Sequence, residues 1–97
     1  MLVATSTSAS LLVNRNRLRK SVLFQNTDGS NSVYVKRERA ATPTVSASDF
    51  DHRIGPGGTL SLNSVLDGTE AIQDRYTVIA AAGTPSIAVF ETEDFIR

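Results

Sequence analysis

The chain has 97 residues, no cysteine, 40% apolar residues, and ten Lys/Arg balanced by ten Asp/Glu for a formal charge of zero. That length makes one domain with a small core, and the missing thiols exclude disulfides, thiolate metal sites and cysteine catalysis. No apolar run approaches the ~18 residues of a membrane span, and the opening Met1-Leu2-Val3-Ala4-Thr5-Ser6 turns polar too early for a signal peptide, so the chain reads as soluble and used without secretion.

Residues 1–10 have small, β-prone side chains without helical period, and predict a short strand near Leu2–Thr5 within an extended N-terminal arm. Ser10-Leu11-Leu12-Val13 is a second apolar burst. Four cations then fall in six positions, Arg15, Arg17, Arg19 and Lys20. The asparagines at 14 and 16 weigh against a helix there and favour a basic loop. Ser21–Gln25 and Ser32–Val35 are short apolar runs separated by Asn26-Thr27-Asp28-Gly29-Ser30-Asn31, all turn formers. This spacing predicts a β-hairpin with its tip at Asp28-Gly29.

Arg37-Glu38-Arg39 alternates charge before Pro43, and Thr44-Val45-Ser46 reads as a short edge strand. Phe50–Ile54 leads into Gly55-Pro56-Gly57-Gly58, a turn, and Thr59-Leu60-Ser61-Leu62 alternates as a half-buried strand does. Asn63–Asp74 is the longest polar connection. Arg75–Ala81 and Ser86–Glu91, joined by Ala82-Gly83-Thr84-Pro85, predict a second hairpin, apolar on both faces as in a sheet covered on both sides. A tail over about 92–97 ends with Phe95 and Ile96, apolar residues that want a partner. Six to eight short strands with turn signals between them indicate an all-β fold, a single antiparallel β-sandwich or small jelly-roll-like barrel.

Candidate chemistry is sparse. Asp49, Asp51 and His52 could hold a divalent ion only with a further ligand, and on a strand the imidazole points away from the carboxylates; a solvated strand end fits better. The glycine-rich turn lacks the lysine and the following helix of a phosphate loop. Asp67, Glu70 and Asp74 read as solvated loop acids rather than a glycosidase pair. No catalytic group, metal site or cofactor site is expected, and the chain reads as a non-enzyme. The basic loop could contact phosphates, but the neutral domain and the lack of interleaved aromatics count against nucleic acid. An anchor for another protein is the stronger reading, since arginine is enriched in interface hot spots. Residues 1–48 carry seven Lys/Arg against two Asp/Glu, and residues 49–97 three against eight. Either this asymmetry attracts neighbours, or strand order mixes the two halves.

The order of the pieces is itself informative: Leu11-Leu12 and Asn14, then Arg19-Lys20-Ser21-Val22-Leu23-Phe24-Gln25-Asn26, a Gly/Ser/Asn turn and Val33-Tyr34-Val35. Later come Gly57-Gly58-Thr59-Leu60-Ser61-Leu62, Ala71-Ile72, Tyr76-Thr77-Val78-Ile79-Ala80, Ala82-Gly83-Thr84 and Ile87-Ala88-Val89-Phe90-Glu91. From about Leu11 to Glu91 this resembles the small β-sandwich virion structural proteins encoded beside the major capsid genes of tailed bacteriophages. The resemblance implies a capsid cement or decoration protein, made in the host cytoplasm and bound to the outside of the head shell, with the major capsid protein as partner and commonly as a homotrimer. Another virion part (head fibre base, connector or tail accessory) is the alternative, with a glycan-binding module behind it. Lys36-Arg37-Glu38-Arg39 is more charged than the resemblance leads one to expect, which marks a contact particular to this phage. The expected protein-contact residues are thus Arg15, Arg17, Arg19, Lys20, Arg37, Arg39, Phe95 and Ile96.

Overall fold

The computed structural model describes residues 1–39, 42–63 and 68–93. In chain order the elements are β1 (Leu2–Ala4), β2 (Ser10–Val13), β3 (Arg19–Asn26), β4 (Val33–Arg37), β5 (His52–Ile54), β6 (Thr59–Asn63), α1 (Thr69–Gln73), β7 (Tyr76–Ala80) and β8 (Ser86–Glu93). Two antiparallel four-stranded sheets result. Sheet A has the order β1-β8-β3-β6 and sheet B the order β2-β7-β4-β5. The fold is an all-β sandwich.

Alternation along the strands builds the core. In β3, Val22 and Phe24 are buried while Leu23 and Gln25, which alternate with them, are half-buried; in β4, Val33 and Val35 are buried and Tyr34 is not. Side chains two apart share a face, so each sheet gives one apolar face to the interior. There Phe24 of sheet A meets Tyr76 of sheet B with ring centroids 5.9 Å apart, among Leu12, Ile54, Leu62, Ile72, Val78 and Ile87. Burying side chains of this size contributes about 1.5–3 kcal/mol each. The fall from β5 to β6 is the expected turn. Gly58 N–H donates to Gly55 O at 2.9 Å, with Pro56 second and Gly57 third at φ 69°, the positive angle such a turn reserves for glycine.

Both predicted hairpins are corrected. The segment from Arg19 to Lys36 is an arch, because β3 pairs with β8 and β6 whereas β4 pairs with β7 and β5 in the other sheet. Asn26 holds the arch from inside. Its fully buried Nδ2 donates to Asn31 O (2.7 Å), Ile54 O and Gly55 O (both 3.2 Å), and its Oδ1 accepts the Asp28 N–H (3.0 Å). These bonds bridge to the β5–β6 turn, which a hairpin tip in solvent would not reach. Likewise β7 lies in sheet B and β8 in sheet A, so the turn at Gly83 carries the chain across the sandwich. Thr44–Ser46 is not a strand; Ser46 makes an isolated bridge with Asp49. The Asn63–Asp74 connection contains α1, and its residues 64–67 lie outside those described. Thr92 and Glu93, expected in the tail, belong to β8.

The outer faces of the two sheets differ. Over sheet B lie Glu38 and residues 42–51. Glu38 reaches Thr77 of β7, which is fully buried, Val45 is buried, and Phe50 packs on Tyr34 at 4.7 Å. Over sheet A no such covering segment lies among the described residues. Its outward side chains form three cross-strand rows, set by the register: Leu2, Ala88, Gln25 and Thr59; Phe90, Leu23 and Ser61; Thr92, Ser21 and Asn63. The expectation of a sheet covered on both sides therefore holds for β7 and fails for β8.

Candidate functional site

The basic loop between β2 and β3 is held by Arg19 turned inward. This side chain is 2% exposed. One terminal nitrogen donates to Ile72 O and Asp74 O, both at 3.0 Å, and the other donates to Asn14 O at 2.8 Å. Its Nε lies 3.5 Å from a Glu91 carboxylate oxygen, near enough for charge attraction but without a hydrogen bond. A bulge in the β3–β8 ladder between Arg19 and Ser21 accompanies this turn inward. Asn16 adds four more ties: its N–H donates to Gln73 O (2.9 Å), its Oδ1 accepts Leu18 N–H (3.0 Å), its carbonyl accepts Arg19 N–H (3.2 Å), and its Nδ2 donates to Glu91 (3.3 Å). Arg15 and Arg17 remain exposed on this pinned loop, and Lys20 at the start of β3 beside it.

Asp74 joins that loop to the second basic segment. Its carbonyl serves Arg19, while its carboxylate, 3% exposed, accepts Nε–H from Arg37 at 2.5 Å and from Arg39 at 2.7 Å. Burial pushes this carboxyl up, but the hydrogen bonds and charges of Arg39 and Arg37 outweigh it and hold the group below the usual aspartate value. The Arg37 and Arg39 side chains stay 38% and 60% exposed. Glu38 is the other buried acid. Its Oε1 accepts Thr44 N–H (2.8 Å) and the Thr77 hydroxyl (2.5 Å), and its Oε2 accepts the Thr44 hydroxyl (2.6 Å). Here too burial raises the carboxyl, and the threonine bonds with the nearby Lys36 charge bring it below its ordinary value.

The two basic segments, about twenty residues apart in the chain, thus meet at the end of the sandwich where β2, β4 and β8 finish and β3 and β7 begin. Arg15, Arg17, Arg19, Lys20, Arg37, Arg39 and Arg75 all belong to this end, seven of the chain's ten Lys/Arg. Asp74 and Glu38 are its two buried acids, Arg19 is a buried cation, and Arg15, Arg17, Lys20, Arg37 and Arg39 are exposed there beside the exposed acids Glu91 and Glu93 of β8. The linear charge asymmetry is used up in part by pairs between the halves: Arg19–Glu91, Lys36–Asp49, Arg37–Asp74 and Arg39–Asp74. A cleft of about 410 Å³ runs beside the loop, between the β1 and β2 edges, with Arg15, Asn16 and Glu91 at its polar side and Val3, Leu11 and Leu12 at its apolar side.

Five of the eight expected contact residues, Arg15, Arg17, Lys20, Arg37 and Arg39, are exposed or partly exposed and brought together here; Arg19 is an internal clamp, and Phe95 and Ile96 lie outside the described residues. Asp74 and Asn16, which organise the end, carried no signal beyond being polar residues in predicted loops. Asp49 and Asp51 are engaged with Lys36 and with the Arg37 N–H (2.7 and 2.8 Å), and Asp67, the other candidate acid with Glu70, lies outside the described residues. Among the described residues no three His, Asp or Glu side chains gather as a metal site would require. No known protein family, no curated protein and no solved structure matches the chain.

Proposed function

We propose that the chain is a capsid cement or decoration protein that grips an acidic patch on the outside of a bacteriophage head shell through the basic end of its sandwich. The carrying observation is the convergence of Arg15, Arg17 and Lys20 with Arg37 and Arg39 on a pinned surface. The sequence resemblance to virion β-sandwich proteins supplies the kind of partner. Binding loses least entropy when contact groups are already ordered, and Arg19, Asn16 and Asp74 order this end before any partner arrives. Cations steer the encounter with an acidic surface and set its orientation. Each contact is weak alone, and a repeating lattice multiplies it.

The test is co-sedimentation with head shells assembled without the protein, at roughly 50 and 500 mM salt. Wild type should load the shells at many copies at low salt and leave them at high salt. The variant Arg15→Ser/Arg17→Ser/Lys20→Ser keeps the bonds of Arg19, Asn16 and Asp74 and should bind roughly tenfold to hundredfold more weakly. Shells ignored by the wild type, binding indifferent to the triple variant, or preferential capture of duplex DNA through the same three cations would each overturn the proposal.

A further inference from the structure

Two strand edges flank the cleft beside the pinned loop. β1 ends sheet A and β2 ends sheet B, and the link from Thr5 to Ala9 joins them at one end. At the other end stand Asn14, Arg15 and Asn16. The cleft volume of about 410 Å³ falls within the ~300–1,000 Å³ of ligand sites. Met1 and Val89 exchange both backbone bonds, at 3.3 and 2.8 Å, and such pairs alternate along an antiparallel ladder. Leu2 and Ala4 therefore turn their N–H and C=O away from β8, toward the open side of the sheet. Backbone groups so placed are the template on which an extended segment adds as a further strand.

The walls of the cleft are graded. Val3, Leu11 and Leu12 form its apolar part, and Arg15, Asn16, Arg19 and Glu91 its polar part. Arg19 adds an independent observation: its buried Nε–H makes no hydrogen bond, although Glu91 lies 3.5 Å away and both side chains line the cleft. A buried donor in that state costs stability, and a carboxylate is the acceptor that suits a guanidinium best. The unbonded N–H and the Arg15 charge thus select an acid. The apolar part selects an aliphatic side chain next to it, and the open backbone of β1 selects an extended chain.

We propose that this cleft takes an extended segment of the shell protein, added along β1, with an aliphatic side chain between Val3 and Leu11 and an acidic residue at Arg15 and Arg19. The incoming carboxylate displaces Glu91 and accepts the Arg19 Nε–H. The source of the segment rests on the shell-binding reading; its chemistry does not. The exposed cations of this end steer the encounter, and the cleft gives it a register.

Amide NMR spectra of the full chain, titrated with two capped hexapeptides, test this. Both peptides alternate valine and threonine and carry two aspartates, in front in one and behind in the other, because β1 admits either strand direction. At least one should bind with a dissociation constant of roughly 0.1–1 mM, shifting the amides of Leu11 and Asn16 and slowing exchange at Leu2 and Ala4. Lysines in place of the aspartates should weaken binding about tenfold or more. Arg15→Ser should weaken it about threefold to tenfold, and Glu91→Gln, which removes the competing acid, should strengthen it by a similar factor. Both variants should keep the wild-type circular dichroism spectrum. Peptide binding with shells left unloaded would overturn the shell as source and leave the chemistry of the cleft standing. Loaded shells with no amide shift from either peptide at about 2 mM would overturn the cleft alone. Equal binding of the lysine peptides would overturn the proposal, as would binding that begins only once the residues after Glu93 are removed, which would make the chain's own end the occupant.

Discussion

Replacing Arg19 with methionine keeps the apolar stem and removes only the guanidinium. Three carbonyls, on Asn14, Ile72 and Asp74, then lose a charged donor at 2.8–3.0 Å. A hydrogen bond to a charged group contributes about 1.5–3 kcal/mol. Some of that returns, because the arginine charge is removed rather than stranded and the Asn14 carbonyl at the loop can take water. The net loss is about 3–5 kcal/mol, the range found when a buried charged network is broken. A domain of this length has only about 5–15 kcal/mol in hand. With a urea slope near 1.3 kcal/mol/M the unfolding midpoint should fall by roughly 2–4 M. The control is Arg17→Met, two residues away on the same loop but exposed, which should move the midpoint by less than ~0.3 M. Amide exchange at Asn16 and Leu18 should quicken in Arg19→Met alone, since their bonds depend on the clamped loop. A midpoint within ~0.5 M of wild type would refute the claim that this guanidinium holds the end together.

Two further expectations concern the same buried polar groups. Asp74 has a folded pKa below its unfolded value of ~3.9, so the stability it contributes is complete above about pH 5 and is lost as pH falls through the folded value. Asp74→Asn should be less stable than wild type by about 1–3 kcal/mol at pH 7, and the gap should narrow as pH falls below about 4; a gap as wide in acid as at pH 7 would contradict the ion-pair reading. Asn26→Ala removes three donor contacts and one acceptor inside the arch and should cost about 2–4 kcal/mol by urea titration, with a loss under 1 kcal/mol refuting its role.

The sandwich class was legible because alternation and turn chemistry are local. Val22, Phe24, Val33 and Val35 announce strands whichever strand they pair with. Pairing itself was not legible. The six turn formers between Gln25 and Ser32 look alike whether the chain reverses within one sheet or steps to the facing one, and Asn26 counted as a loop residue while it sits fully buried. Composition also points to cations at 15–20 and 37–39, but not to which of them face water. Arg19 differs from Arg17 in having two carbonyls of a distant segment, Ile72 and Asp74, within reach beside that of Asn14, and that is a property of the folded arrangement. The short helix α1 escaped notice because five residues carry too little periodicity to read.

The crossing of the chain from sheet to sheet has a consequence for how the molecule is made. Among β1 to β8, only β4 and β5 follow each other in sequence and also pair. Every other ladder waits for a distant strand, and β8, the last of the eight, is the centre on which β1 and β3 both depend. While the chain leaves the ribosome, β1 and β3 have one flank each with nothing to bond until β8 emerges, and their apolar side chains wait with them. Closing such long loops is slow. Synthesis therefore ends in one late, collective step, and a chain cut short before Ser86 would leave β1 without its partner strand and the β3–β6 ladder with one open flank.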